Sequence, residues 1–446
     1  MERLIMKKLL EWKESEIRKP LILTGVRQCG KTYVMQEFGK QYFQDVAYFN
    51  FEENERLGDV FQIDFNVRRI LMELSVLRQK DIIPGQTLLI FDEVGACPRA
   101  VTSLKYFCEN QKELHIIAAG SLLGIALKSE QVSFPVGKVD YMQMYPMNFY
   151  EFVKACGADN LLEGMQFYRT DQEVPSIYTE PMKRFLQEYF IIGGMPEVVR
   201  SWSQNHDIEQ AERLQDQILA GYEHDFSKHT PPAEVPKLQG IWDSVPEQLA
   251  KENNKFIFSH VRKGARSKDL EDAMEWLVDA GLIYKLCLVE KPEIPLRAAE
   301  NSTYFKVYMS DIGLLRRKAG IYYRTILEGN GAYIQFKGAM TENYVMTELR
   351  SLGFPSWFWR SGNTAEVDFL TEYHGQIIPI EVKSADNTRA KSFTQYIRRY
   401  EPQAGFKCSL KNAAVNHTAG TDVYSLPLYE LFRIRECLIE SEEFSE

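Results

Sequence analysis

The segment Leu21-Ile22-Leu23-Thr24-Gly25-Val26-Arg27-Gln28-Cys29-Gly30-Lys31-Thr32 constrains this chain more than any other. A short apolar run rich in β-formers leads into G-x-x-x-x-G-K-[ST], and Thr32 to Phe38 then has the pattern of a helix. Glycines let backbone N–H groups turn inward around an anion, and the following helix N-terminus adds a favourable dipole. Lys31 places a point charge on outer phosphates, and the Thr32 hydroxyl is a ligand for Mg²⁺. The strand–loop–helix order predicts a parallel sheet around a phosphate site.

The next runs agree. Val46–Phe51, Thr87–Phe91 and Leu114–Ala119 are short and β-rich, with helical patterns between them. This alternation predicts an α/β fold with helices on both faces of a parallel sheet. The run Leu88–Phe91 ends in Asp92-Glu93. Asp92 is placed to hold Mg²⁺ through its water shell, and Glu93 to orient and polarise an attacking water. Leu114–Ala119 ends at Gly120-Ser121, where the hydroxyl either senses the γ-phosphate or is an ordinary turn serine. The expected cofactors are ATP and Mg²⁺. Gly25, Arg27, Gly30, Lys31, Thr32 and Tyr33 are the expected nucleotide contacts, with Lys31, Glu93 and Ser121 acting on the chemistry.

A chain of 446 residues exceeds what one hydrophobic core usually serves. Residues 1–205 are expected to form the phosphate-binding domain with a helical lid, 206–325 a helical linker, and 326–446 a mixed α/β domain. No apolar run approaches a membrane span, and the charged N-terminus lacks signal-peptide character. A cytoplasmic location is expected, without membrane partners. The seven cysteines have no close pair, which suits reduced thiols. A net charge of −9 argues against coating nucleic acid through global charge, but leaves room for a local basic groove.

In the middle segment, Leu270, Ala273, Met274, Leu277 and Val278 share one helix face, Gly281 is a stop, and Leu282–Leu286 follows as a strand. Helix, stop and strand suggest a winged-helix unit. Its solvent face carries Asp269, Glu271, Asp272 and Glu275, which a phosphate backbone would repel. Arg262, Lys263, Arg266 and Lys268 precede them and could touch phosphate at the edge. A structural role is weighed above DNA reading.

Toward the C-terminus, Ala365–Leu370 and Gln376–Lys383 flank a turn at His374-Gly375. Alternation along a strand places Glu381 and Lys383 on one face, and a hairpin can bring Asp368 beside them. Glu342 belongs to a predicted helix, Ala339–Leu352. A basic stretch follows, with Lys383, Arg389, Lys391, Arg398, Arg399, Lys407 and Lys411 against Asp386 and Glu401. It suits contact with a nucleic-acid backbone. The plain alternative for the acids and lysine is a cross-strand salt-bridge ladder.

With these residues in place, the chain resembles the prokaryotic AAA-type P-loop ATPases fused to a C-terminal domain of unknown function. The resemblance rests on Gly25–Thr32, Leu88–Glu93, Gly120-Ser121, the run Phe134 to Phe152, Gly193–Glu197, Ser310–Leu314 and the C-terminal acids. It implies nucleotide binding and an ATPase core. One departure is Gly137-Lys138, where the family usually has Gly-Arg, and lysine lacks the bidentate guanidinium contact. Arg99 is one arginine considered in its place. The C-terminal part resembles the PD-(D/E)xK nuclease fold. By position Glu342 is then the helix acid, Asp368 the strand acid and Glu381–Lys383 the E-x-K pair. That resemblance implies Mg²⁺ on Asp368 and Glu381, with Lys383 stabilising developing charge. DNA or RNA is the expected partner of an active site, and a protein partner that of a silent one. An oligomer is possible.

Overall fold

The computed structural model describes residues 1–126, 135–251, 255–328, 331–362, 365–384 and 390–443. Phe134, Asp386 and Arg389 lie outside the described residues. The chain divides into two compact units. One comprises Glu2–Pro146 with Glu275–Leu282, and the other Met147–Met274 with Ile283–Glu446 and Met1.

The first unit is built on five strands: β1 (Leu21–Gly25), β2 (Asp45–Asn50), β3 (Thr87–Asp92), β4 (His115–Ala119) and β5 (Asp140–Met144). Their order is β2-β3-β4-β1-β5, and every pairing is parallel. Four of the five were visible as apolar runs; β5, at the sheet edge, alternates partly buried and exposed residues and buries only Met144, and was not. Leu88 and Leu89 of β3 point to opposite faces. Leu88 packs close to Gly39 of the helix Lys31–Tyr42, while Leu89 and Phe91 enter a core with the helices Val67–Arg78 and Pro98–Asn110. Helices therefore cover both faces, as expected of a P-loop NTPase fold. Phe91 anchors β3 through the rings of Phe51 (5.5 Å), Phe61 (5.8 Å), Phe107 (6.3 Å) and Phe49 (6.4 Å). This fixes the strand end that carries Asp92.

The second unit holds an eight-stranded mixed sheet: β6 (Ile283–Val289), β7 (Glu300–Met309), β8 (Ser356–Ser361), β9 (Ala365–Tyr373), β10 (Gln376–Val382), β11 (Ala404–Ser409), β12 (Ala414–Thr418) and β13 (Thr421–Pro427). Its order is β12-β13-β11-β10-β9-β8-β6-β7. The expected helix Ala339–Leu352 overlaps the observed Gly331–Ser351, which starts eight residues earlier and ends one residue sooner, and the hairpin β9–β10 turns at His374-Gly375 as expected. The helix–stop–strand order of the middle segment is also present, as Ser267–Asp279, Gly281 and β6. The partners of β6 are β7 and, in parallel, β8, so the strand belongs to the C-terminal sheet.

Two sequence motifs meet inside this unit. The Asp311 carboxylate accepts N–H bonds from Gly194 at 2.6 Å and Leu314 at 2.9 Å. A Cβ on Gly193, whose φ is +74°, would lie 2.3 Å from the same carboxylate, and one on Gly194 would strike Met147 O at 1.9 Å. Burial raises Asp311 to about 6. The run around Asn148 is likewise structural. Asn148 and Glu151 form a capping box, and Glu348 accepts the Phe149 N–H at 2.9 Å. These motifs lock helix ends together.

Candidate functional site

The phosphate loop folds as its glycines permit. Gly30 caps the helix Lys31–Tyr42 at φ +95°, a left-handed conformation that side chains with a Cβ avoid. Gly25 has φ +150°, and a Cβ there would lie 2.3 Å from Met144 O, so only glycine lets the loop pass the end of β5. Lys31 is buried, and its Nζ donates to Gly25 O (2.8 Å), Val26 O (3.0 Å) and Ser121 Oγ (3.2 Å). Thr32 Oγ1 donates to Asp92 Oδ2 at 2.6 Å. A hydroxyl and a carboxylate that share a bond at this spacing can share one cation.

Glu93 follows Asp92 in the left-handed region, at φ +48°. Strain of this kind in a non-glycine residue is characteristic of functional sites. Its carboxylate faces Ser121, accepting from the serine N–H (3.4 Å) and Oγ (3.3 Å). Burial raises the Glu93 carboxyl above its ordinary range, Lys31 opposes the rise, and the Asp92 charge adds to it. Ser121 thus bridges Lys31 and Glu93. Gly25, Gly30, Lys31, Thr32, Asp92, Glu93 and Ser121 are brought together; Arg27 stays within the loop, and Tyr33 is exposed at the start of the helix.

Two contributors were not visible in the sequence. Tyr48 OH donates to Asp92 Oδ2 at 2.9 Å from the neighbouring strand β2, and burial together with that carboxylate pushes the phenol pKa upward. Arg3 is buried and donates to Cys29 O inside the loop (2.9 Å) and to Tyr145 O beyond β5 (2.7 Å). Lys138 pairs with Glu109 at 2.9 Å, and Arg99 donates to Phe61 O at 2.6 Å.

A second constellation lies in the C-terminal sheet. Glu381 Oε1 accepts from Lys383 Nζ at 2.7 Å, and Asp368 Oδ2 accepts the Val382 N–H at 2.7 Å. Burial raises the Asp368 carboxyl well above its ordinary range, and the charges of Glu381 and Glu342 push the same way. Glu381 is raised by burial, against the pull of Lys383. Glu342 is within electrostatic reach, and from β7 it accepts from Tyr308 OH at 3.0 Å and pairs with Lys306 Nζ at 3.5 Å. Lys306 also bridges Glu366 at 2.7 Å. Lys306, Tyr308 and Glu366 were not anticipated.

A basic cavity of about 850 Å³ opens beside this cluster's sheet, lined by Lys391, Thr394, Gln395, Arg398, Arg399 and Lys407. Phe393, Tyr396 and Ile397 bury the other face of the helix Lys391–Tyr400. Lys407 pairs in register with Glu381, so the two side chains share a sheet face. No described helix is long and apolar enough to cross a membrane.

Comparison with known proteins divides along the chain. Residues 17–153 match the family described as AAA domain. Residues 183–324 match a domain of unknown function (DUF8612), and residues 337–429 another (DUF4143). An uncharacterized protein of Methanocaldococcus jannaschii is 23% identical over 357 residues, 78% of this chain and 71% of that protein. An uncharacterized protein of Mycobacterium tuberculosis is 36% identical over 80 residues, 18% of this chain and 17% of that one. Among solved structures, a Walker-type ATPase of Pyrococcus abyssi aligns with a TM-score of 0.43 at 14% identity, covering 71% of this chain and 95% of its own. The ORC2 protein of Aeropyrum pernix, in ADPNP–ADP complexes, aligns at 0.35 and 13%, covering 73% and 92%. The phosphate loop, Asp92, Glu93 and Ser121 all fall within the AAA match. The segment that holds them is an AAA-type P-loop domain.

Proposed function

We propose that this chain binds and hydrolyses Mg-ATP, and that its nucleotide state governs a C-terminal sheet that holds nucleic acid. The observation that carries the first part is the Thr32–Asp92 bond at 2.6 Å, set beside Lys31 at the mouth of the loop. Loop N–H groups around Gly25 and Gly30 would receive the phosphates, with Arg27 and Tyr33 at their margin. Lys31 would exchange its carbonyl partners for the outer phosphates, and Thr32 and Asp92 would hold Mg²⁺. Glu93 is the general base, and Ser121 holds its carboxylate in place. Replacing Glu93 by Gln keeps the shape and removes the base. Turnover is expected to fall roughly 10²–10⁴-fold with ATP binding retained, whereas Lys31→Ala loses most affinity. A fluorescent ATP analogue and a phosphate-release assay read both. Equal analogue affinity in Lys31→Ala would sink the loop assignment, and full turnover in Glu93→Gln the assignment of the base.

The second part rests on the basic cavity. Lys391 and Arg398 are seven residues apart, about 10 Å along a helix, the length of about three stacked nucleotides. Changing Arg398 and Arg399 to Glu is expected to weaken DNA or RNA binding and flatten its salt dependence. Unchanged binding would favour a protein partner, a reading supported by the exposed acids Glu271 and Asp272. Control by nucleotide predicts that ATP on Glu93→Gln alters amide exchange around Asp368 and Lys383; changes confined to the loop would refute it.

The C-terminal carboxylates also fit a divalent ion. Glu381 is 4% exposed, and its Oε2 is buried without a hydrogen-bond partner. Asp368 and Glu381 would hold Mg²⁺, which would polarise a phosphodiester or a water, and Lys383 would fix the Glu381 carboxylate.

A further inference from the structure

The cluster contains two ammonium groups where the E-x-K pair accounts for one. Lys306 reaches in from β7 and is 1% exposed. Its Nζ lies 2.7 Å from Glu366 and 3.5 Å from Glu342, above the Phe358 ring at 5.1 Å. Tyr308 donates to the same Glu342 oxygen at 3.0 Å. A cation belonging to the protein therefore serves the Glu342–Glu366 side.

The other side is open in one respect. Asp368 Oδ2 has the Val382 N–H, and Glu381 Oε1 has Lys383. Glu381 Oε2 has no hydrogen-bond partner, although the residue is buried. Glu342, Glu366, Asp368 and Glu381 against Lys306 and Lys383 leave two negative charges when all are ionised, the charge of one divalent cation. Among the described residues, no group of three or more His, Cys, Asp or Glu is gathered to hold a metal ion. A pair of carboxylates plus water is nevertheless a usual setting for Mg²⁺.

We propose that Lys306 is a tethered cation standing in for a second metal ion, so that the cluster binds one divalent cation, at Asp368 and Glu381, and never two. The ammonium neutralises the Glu342–Glu366 side without exchanging with solvent. This rests on the reading of Asp368 and Glu381 as metal ligands.

The test is a count of bound Mn²⁺ on the full-length, nucleotide-free protein, by calorimetry and by the loss of free-ion electron paramagnetic resonance signal. Subtracting the count for Asp368→Asn removes any ion at the phosphate loop. The expected difference is one ion. Lys306→Gln should gain one further ion, at Glu342 and Glu366, while Lys306→Arg, which keeps the charge, should retain the parent count. A difference of zero between the parent and Asp368→Asn overturns the metal reading itself. A difference of two, or a folded Lys306→Gln protein with the parent count, overturns the tethered cation alone. If Lys306→Gln folds poorly, the parent count decides: one supports the proposal, and two or none overturns it.

Discussion

Replacing Arg3 by Met tests whether the phosphate loop is held in shape from outside its own motif. The guanidinium is buried and donates to Cys29 O at 2.9 Å and to Tyr145 O at 2.7 Å. A hydrogen bond involving a charged group contributes about 1.5–3 kcal/mol net. Two bonds from one fork are coupled, and removing a buried cation also relieves its desolvation, so the sum is an upper bound. Methionine preserves most of the apolar stem, which confines the change to the headgroup. The expected loss is about 2–4 kcal/mol. For a unit of this size, where 1 kcal/mol shifts the midpoint by roughly 2–4 °C, that means a fall of roughly 4–16 °C. The assay is thermal unfolding by near-ultraviolet circular dichroism, paired with titration of a fluorescent ATP analogue. Affinity should fall too, because Cys29 lies within the loop and a smaller fraction of molecules would hold it in binding-competent form. Arg3→Lys should recover only part of either quantity, since an ammonium lacks the planar fork that spans two carbonyls. A midpoint within about 1 °C of the parent, together with unchanged affinity, would refute the clamp. A large fall in midpoint with unchanged affinity would show that Arg3 supports the unit without shaping the loop.

Other outcomes follow from the same structure. Phe91→Ala removes a fully buried ring that touches four others and should cost about 3–5 kcal/mol, measured by denaturant unfolding. His115 is buried between the rings of Trp12 and Phe43, and burial, aided by the Arg18 charge, lowers its pKa to about 4. The unfolded chain takes up this proton first as pH falls below 6.5, so stability should decline from there to about 4 and level off, by at most about 1.4 kcal/mol per pH unit. His115→Phe should remove that component of the slope, and an unchanged slope would reject it.

The legibility of the two sites follows from how local their chemistry is. Gly25–Thr32 is one contiguous stretch whose function is set by backbone conformation, so the spacing of Gly25, Gly30, Lys31 and Thr32 was enough to find it. Asp92 and Glu93 were readable because two acids close the apolar run Leu88–Phe91 downstream of a phosphate loop. Tyr48 and Arg3 were not readable. Each acts across a tertiary contact, and each residue type has an ordinary surface role. Lys306 was hidden for a sharper reason. In a strand pattern, lysine marks the solvent side, yet here it is fully inside, and carboxylates supplied by other elements, Glu342 and Glu366 foremost, make that position tolerable. The same limit applies to β6. Its apolar pattern was visible, but the pairing of Leu288 with Phe358 joins residues far apart in the chain and depends on register that no local signal encodes.

The proposed nucleotide control would have to pass through the chain segments that join the two units. The phosphate-loop unit continues into the rest of the protein at Pro146 and at both ends of the segment Glu275–Leu282. Two of these exits begin near the loop, one through Arg3 and one at Gly281. Tyr145, one residue before the first, shares Arg3 with Cys29 of the loop. Gly281, two residues before β6, has φ +73°, and a Cβ built on it would lie 3.4 Å from Val26 N, also in the loop. A movement of Val26 or Cys29 as the loop N–H groups gather around phosphate would therefore bear directly on the backbone that leads into β6 and on the backbone that leads into Met147. Strand β6 is paired with β7, which carries Lys306 and Tyr308 to Glu342. Coupling through that route needs only that the two nucleotide states place Val26 differently, because a ligand shifts an equilibrium by its difference in affinity between the states.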